Sequence, residues 1–347
     1  MRRSRSDERS DGLTAGRPVA AAVTVALLAV WPSGRPAVAQ QPPLNAGALF
    51  LVFPVGAQAV GMGQTATAAA GRGEAAFWNP AGLATLADDE FALHSATLVA
   101  SRSNVLGAYF PSRGVGVIGG SVYLVDYGDL DRTDANGNTI ARIAPRNLEF
   151  LASYATSLTR SFSFGINYKL VQFRVDCSGD CRDFPAGTGA THALDLGGQF
   201  SVGAGPGGPL RIGIAVRNVG FRLQVQNNAQ ADALPTRLAI GALYELRLRP
   251  AAGRTLDQAF DVKLAADVDS PWGQVGQSET RVGVDVGYQR VVRVRAGYAF
   301  VQDGLSGPSV GLGIESGALG VDLARAFLIG SDLQADSPTF FSFRVTF

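Results

Sequence analysis

The chain has 347 residues, 46% of them hydrophobic, with 30 Lys and Arg against 29 Asp and Glu. So even a balance gives no basic footprint for nucleic acid. Two Cys close together and two His far from them supply no zinc ligand set.

Residues 1–39 carry six Arg (Arg2, Arg3, Arg5, Arg9, Arg17, Arg35) and three acids (Asp7, Glu8, Asp11). An apolar run from Val19 to Trp31 leads to Ala37-Val38-Ala39, a small-x-small pattern before Gln40-Gln41. Together these predict a secretory signal, residues 1–39, cleaved after Ala39. The run, of about 13 residues, is too short to span a bilayer as a helix. No later stretch is long and apolar enough to do so, and the remaining chain holds 24 basic and 26 acidic residues. The expectation is an exported protein without a helical membrane anchor.

Residues 40–90 show no alternation. Gly61-Met62-Gly63 precedes a small-residue stretch from Thr65 to Ala70, then Gly71-Arg72-Gly73-Glu74 and Phe77-Trp78-Asn79-Pro80-Ala81-Gly82. Asn79 can hydrogen-bond nearby backbone, and Pro80 removes a donor and sets φ. The same dipeptide also reads as a simple turn into the first strand.

From Phe91 onward the pattern has period two, broken by Gly, Asp, Asn and Pro. Fourteen strands are predicted, over 91–100, 103–111, 114–127, 147–158, 161–175, 189–203, 210–225, 235–248, 257–269, 279–289, 291–302, 309–317, 319–329 and 338–347. In 161–170, Phe162, Phe164, Ile166, Tyr168 and Leu170 oppose Ser161, Ser163, Gly165, Asn167 and Lys169. The apolar faces run for about nine residues, the length of a tilted membrane strand. Connections at 112–113, 159–160, 204–208, 249–256, 290 and 318 are mostly short. Those at 128–146, 176–188, 226–234, 270–278, 303–308 and 330–337 are mostly longer. Outer-membrane barrels put short turns in the periplasm and longer loops outside.

Cys177 and Cys181 fall in one of the longer loops, and in an exported chain so close a pair reads as a disulfide. The last strand alternates Phe341, Phe343, Val345 and Phe347 against Ser342, Arg344 and Thr346. That suits a wall with lipid outside and a polar lumen inside. An aromatic end of this kind resembles the C-terminal signal read by the outer-membrane assembly machinery. A soluble sandwich would alternate too; the export signal and the terminal Phe decide for an all-β transmembrane barrel.

Gly-Ala-Gln-Ala-Val-Gly-Met-Gly at 56–63 and Trp-Asn-Pro-Ala-Gly-Leu at 78–83 resemble the N-terminal region of the PorV/PorQ family, within the FadL-type transporter group. Leu234-Pro235-Thr236-Arg237 at a strand start extends the resemblance, which covers essentially all of the chain after residue 39. It implies a fourteen-stranded barrel over 91–347 plugged by an N-terminal hatch, residues 40–90, with Gly61, Gly63, Trp78, Asn79, Pro80, Ala81 and Gly82 as the hatch motif. Eight strands enclose a lumen that side chains fill and sixteen leave a channel, so fourteen need a plug.

Lys169, Arg211, Arg217, Arg237, Glu245, Arg247, Asp261, Lys263, Asp267, Arg281, Asp285, Arg293, Arg295, Glu315, Asp322 and Arg344 share the lumen phase. They read as a mixed-sign ladder joining wall and hatch; a polar solute track is the other reading. Mixed signs disfavour an ion-selective pore. Asp129, Asp131, Asp134 and Asn136 miss the spacing of a calcium loop. His94 lies on the lumen phase with no nucleophile motif beside it, so no enzyme activity, cofactor or metal is expected.

The resemblance implies two roles. PorV-type members escort proteins leaving by type IX secretion to an attachment complex. FadL-type members pass hydrophobic small molecules such as fatty acids and aromatic hydrocarbons. The expected partners are outer-membrane lipid, the barrel assembly machinery, and either secreted proteins or a hydrophobic ligand. Trp78 before Asn-Pro-Ala and the polar loops 128–146 and 226–234 lean toward secretion.

Overall fold

The computed structural model describes residues 46–182, 187–205, 208–224, 231–248, 260–273, 277–289, 291–301, 306–327 and 337–347. The proposed signal sequence and residues 40–45 of the expected hatch lie outside them. Everything described below belongs to one compact unit, residues 45–347.

Its strands are β1 (Glu90–Thr97), β2 (Arg102–Ser112), β3 (Gly116–Asp126), β4 (Leu130–Thr133), β5 (Thr139–Ser157), β6 (Phe162–Gly179), β7 (Gly187–Gly205) and β8 (Gly208–Gly220). They continue as β9 (Arg237–Leu248), β10 (Phe260–Pro271), β11 (Glu279–Tyr288), β12 (Val292–Phe300), β13 (Gly307–Ser316), β14 (Leu319–Ala326) and β15 (Thr339–Thr346). All pairings are antiparallel between neighbours, β3 also pairs with β5, and β1 pairs with β15. The result is a closed fourteen-stranded barrel, with β4 standing beyond its rim. No described helix is long and apolar enough to cross a membrane.

The alternation read from sequence is the alternation of the wall. On β12, Val292, Val294 and Ala296 point outward while Arg293 and Arg295 are buried inside. The outward residues of a water-soluble barrel would be polar. Here they are Leu, Val, Ile and Phe, half exposed as a lipid-facing belt requires.

One segment departs from expectation. The predicted loop 128–146 is largely strand: β4 pairs with Leu130↔Ile143 through Thr133↔Thr139, and β5 begins at Thr139 rather than near 147. The hairpin turns at Asp134, whose carboxylate accepts from the Asn136 and Asn138 amides, with Gly137 at φ 85°. The acids considered as calcium ligands are thus occupied with the turn and with Arg142. Cys177 and Cys181 are joined at the top of β6, at this same end.

The seam lies between the first and last strands. Phe347 exchanges backbone hydrogen bonds with Asp89 (3.1 and 3.2 Å). Its ring stacks on Phe91 at 5.4 Å. Phe341 and Phe347 face outward; Phe343 and Val345 are partly covered on the same side. Ser342 and Arg344 point inward. Phe347→Arg puts a charge on the lipid side of the seam, a change of about 2–4 kcal/mol at mid-bilayer and about 0–1 kcal/mol near its edge, and it removes the ring that stacks on Phe91. The expected outcome is a clear loss of folded barrel, measured as the heat-modifiable band on unboiled gels. Unchanged folded yield would contradict this role for the terminal strand.

Candidate functional site

Residues 46–89 pass through the lumen. Ala46 bridges to Ala233 at the long-loop end, and Gly47 donates to the Ala233 carbonyl at 2.9 Å. The segment then forms a 3-10 turn (Leu49–Val52), helix α1 (Ala57–Gly61) and further 3-10 turns at Gly73–Phe77 and Pro80–Thr85. It reaches β1 at the short-loop end. Sequence reading assigned no helix here, because none exceeds six residues and the small-residue composition carries no periodicity.

The lumen wall is shaped to receive backbone. A Cβ on Gly165 would overlap the Pro80 carbonyl, one on Gly197 the Asn79 Oδ1, and one on Gly213 the Thr67 carbonyl. On the opposite wall, Gly283 faces the Met62 carbonyl, Gly297 faces Gly63, and Gly311 faces Gly61. A glycine inside a strand marks a place where another backbone approaches closely. Gly61 and Gly63 of the predicted motif are therefore the partners of wall glycines.

Asn79 is the densest polar node. It is fully buried. Its Oδ1 accepts from Ala81 N at 3.1 Å, capping the 3-10 turn that Pro80 opens. Its Nδ2 donates to Thr67 O (2.7 Å) and to the wall carbonyls of Gly198 (3.2 Å) and Ile214 (3.4 Å). Asn79-Pro80 is thus a cap inside the lumen, ten residues before β1, not a turn into that strand. Trp78 donates from Nε1 to Val55 O at 2.9 Å, and the Arg217 guanidinium lies over its ring at 5.5 Å. Ala81 and Gly82 are buried, and a Cβ on Gly82 would overlap Ala69 O.

Charged side chains tie segment and wall together. Asp267 Oδ2 accepts from the Ala66 and Thr67 amides (2.9 and 2.8 Å), and Arg217 donates to Phe77 O at 3.1 Å. Arg72 pairs with Glu315, which also binds Arg344. Behind these, Asp285 joins Arg293 and Arg295 (2.8 and 2.9 Å), and Arg295 reaches Asp322 at 2.6 Å. Asp269 holds Arg217, Arg237 and Arg281. Lys169 pairs with Asp195 at 2.9 Å, beside Glu149. Glu149, Asp195 and Glu279 were missed by sequence reading, although Asp195 shares its phase with buried Ala193 and Gln199. His94 meets Ser342 Oγ at 2.8 Å, and that hydroxyl accepts from Ala57 N. The pair fastens α1 to the seam.

A cavity of ≈ 80 Å³ remains between segment and wall, lined by Trp78, Tyr123, Glu149, Lys169 and Arg217 among others. It has room for several waters at roughly 10–15 Å³ each.

Glu74 is buried beneath α1 and accepts from Ala59 N at 2.7 Å. Gly56, at φ 91°, leaves it room. Burial pushes its pKa up to about 8, a shift that Ala59 N–H opposes and Asp322 reinforces. A raised carboxyl pKa contributes stability that is present below the ordinary Glu range and lost as pH rises through about 8. The segment is expected to loosen progressively as pH rises from the ordinary Glu value of 4.5 to about 8 and no further above it, seen as growing current noise in planar bilayers. Glu74→Gln should flatten that dependence; an unchanged pH profile in the variant would assign the effect elsewhere.

A protein-family model described as type IX secretion system protein PorV matches residues 37–264. No curated protein matches the chain. Among solved structures, the toluene transporter TbuX of Ralstonia pickettii is similar at a TM-score of 0.55 with 12% identity, over 88% of this chain and 99% of that one. The toluene transporter TodX of P. putida is similar at 0.55 with 13% identity, over the same shares. At such identity the likeness concerns the fold.

Proposed function

Because the chain belongs to the PorV family of type IX secretion system proteins, we propose that it serves protein secretion at the outer membrane as a non-enzymatic escort for exported proteins. Its barrel is an outer-membrane barrel, held shut by residues 46–89 acting as a hatch. The family match over residues 37–264 carries the reading. The filled lumen supports it. The wall facing the segment is lined with paired Arg, Lys, Asp and Glu, which an apolar solute would have to desolvate. Passage of hydrophobic small molecules, the second reading, draws on the fold shared with the toluene transporters.

The test is deletion of the gene in its own host. Exported proteins should then accumulate in the periplasm or fail to attach at the surface, while uptake of toluene and fatty acids stays unchanged. Normal export with impaired uptake would favour the second reading.

On this proposal the long-loop end faces outward, carrying Cys177 and Cys181. A maleimide that does not cross the outer membrane should label intact cells after reduction and not before it. Labelling only after permeabilisation would reverse the orientation.

A further inference from the structure

The outer wall carries a groove of ≈ 550 Å³ over β1, β2, β3, β5 and β6. We propose that it holds a single acyl chain of a membrane lipid. Strand register sets Phe91, Ala108, Gly120, Ala152 and Tyr168 side by side across these five strands. The three middle residues are small and the two at the ends aromatic. The next outward-facing row toward the long-loop end is Leu106, Val122, Phe150 and Leu170. The row on the other side is Phe110, Ile118, Tyr154 and Ile166. A floor of Ala and Gly thus lies between two ridges of large apolar side chains.

Its dimensions choose the occupant. The ridges stand four residues apart along the strands, about 13 Å between centres before their side chains are counted. An α-helix with side chains, about 10–12 Å across, is too wide to lie between them. An added strand has nothing to pair with, since the backbone of this wall is already bonded to its neighbours. An alkyl chain is narrow, needs no hydrogen bond and gains by covering apolar surface. The groove is continuous with the lipid-facing belt, so the membrane supplies the chain.

One end has a polar handle. Tyr168 Oη lies 2.5 Å from His192 Nδ1, with the rings stacked at 5.7 Å on the outer surface. When Tyr168 donates to Nδ1, the imidazole carries its proton on Nε2. That N–H suits an ester or phosphate oxygen of a lipid headgroup.

Full-length barrel extracted from outer membranes into mild detergent is examined by native mass spectrometry. The wild type should retain a lipid through detergent exchange. Ala152→Phe, which fills the floor from the lipid side, should reduce retention by at least about tenfold. Tyr168→Phe should reduce it by about two- to tenfold, the loss of one hydrogen-bonded handle. Ala296→Phe, on the lipid face of β12, serves as control and should retain lipid normally. The heat-modifiable band reports that each variant is folded. A diazirine-bearing phospholipid should cross-link to peptides of β2, β3 and β5. Equal retention in Ala152→Phe, equal loss in Ala296→Phe, no retained lipid in the wild type, or a polypeptide in place of the lipid would each overturn the proposal.

Discussion

Removing residues 46–89 is expected to turn a nearly silent barrel into an open channel in planar bilayers. The cause is geometric. Eight-stranded barrels are filled by their own side chains and those of sixteen or more hold aqueous channels, so fourteen enclose more space than the wall fills. The wall glycines Gly165, Gly197, Gly213, Gly283, Gly297 and Gly311 leave that space for the segment's backbone. A milder variant separates plugging from assembly. Asn79→Ala removes the cap on Ala81 and leaves the carbonyls of Thr67, Gly198 and Ile214 without this donor. Thr67 O keeps Gln199 Nε2 as a donor, and each hydrogen bond lost contributes about 0.5–1.5 kcal/mol. Intermediate, flickering conductance is expected, with normal folded yield. Large steady conductance in the unaltered protein would contradict the hatch.

The second large effect is expected from Asp285→Ala. Asp285 is fully buried and accepts from both Arg293 and Arg295, whose other carboxylates are Asp261 and Asp322. Removing one member of a buried ion cluster leaves uncompensated charge and costs about 3–5 kcal/mol. The temperature at which the folded band converts to the unfolded one should fall markedly. Asp285→Asn keeps an acceptor and should fall between the two. A wild-type transition in Asp285→Ala would show that lumen water already solvates these guanidinium groups.

Much of this architecture could be read from the chain. Alternation such as Val292, Val294 and Ala296 against Arg293 and Arg295 placed every barrel strand and most of the lumen charge, because a membrane wall has two chemically opposed faces. What stayed hidden depends on contacts between distant residues. Asn79 meets Gly198 and Ile214, 119 and 135 positions away, and nothing local announces that. The wall glycines gain meaning only once the chain lying on them is known. Strand β4 was read as loop because Asp129, Asp131 and Asp134 gave the stretch a polar look. Only Ala141 and Ile143 of the hairpin are buried, while β4 is mostly exposed, so the stretch lacks the long apolar stripe that marks the other strands.

The escort role is tested most directly at the outer hairpin. A photo-crosslinking amino acid is placed at Leu130 on β4, which is exposed at the long-loop end, and as control at Leu158, exposed at the short-loop end. Irradiation of secreting cells should join exported polypeptides to the barrel through position 130 and not through 158. No exported polypeptide at position 130, together with toluene uptake that depends on the barrel, would contradict the secretion role.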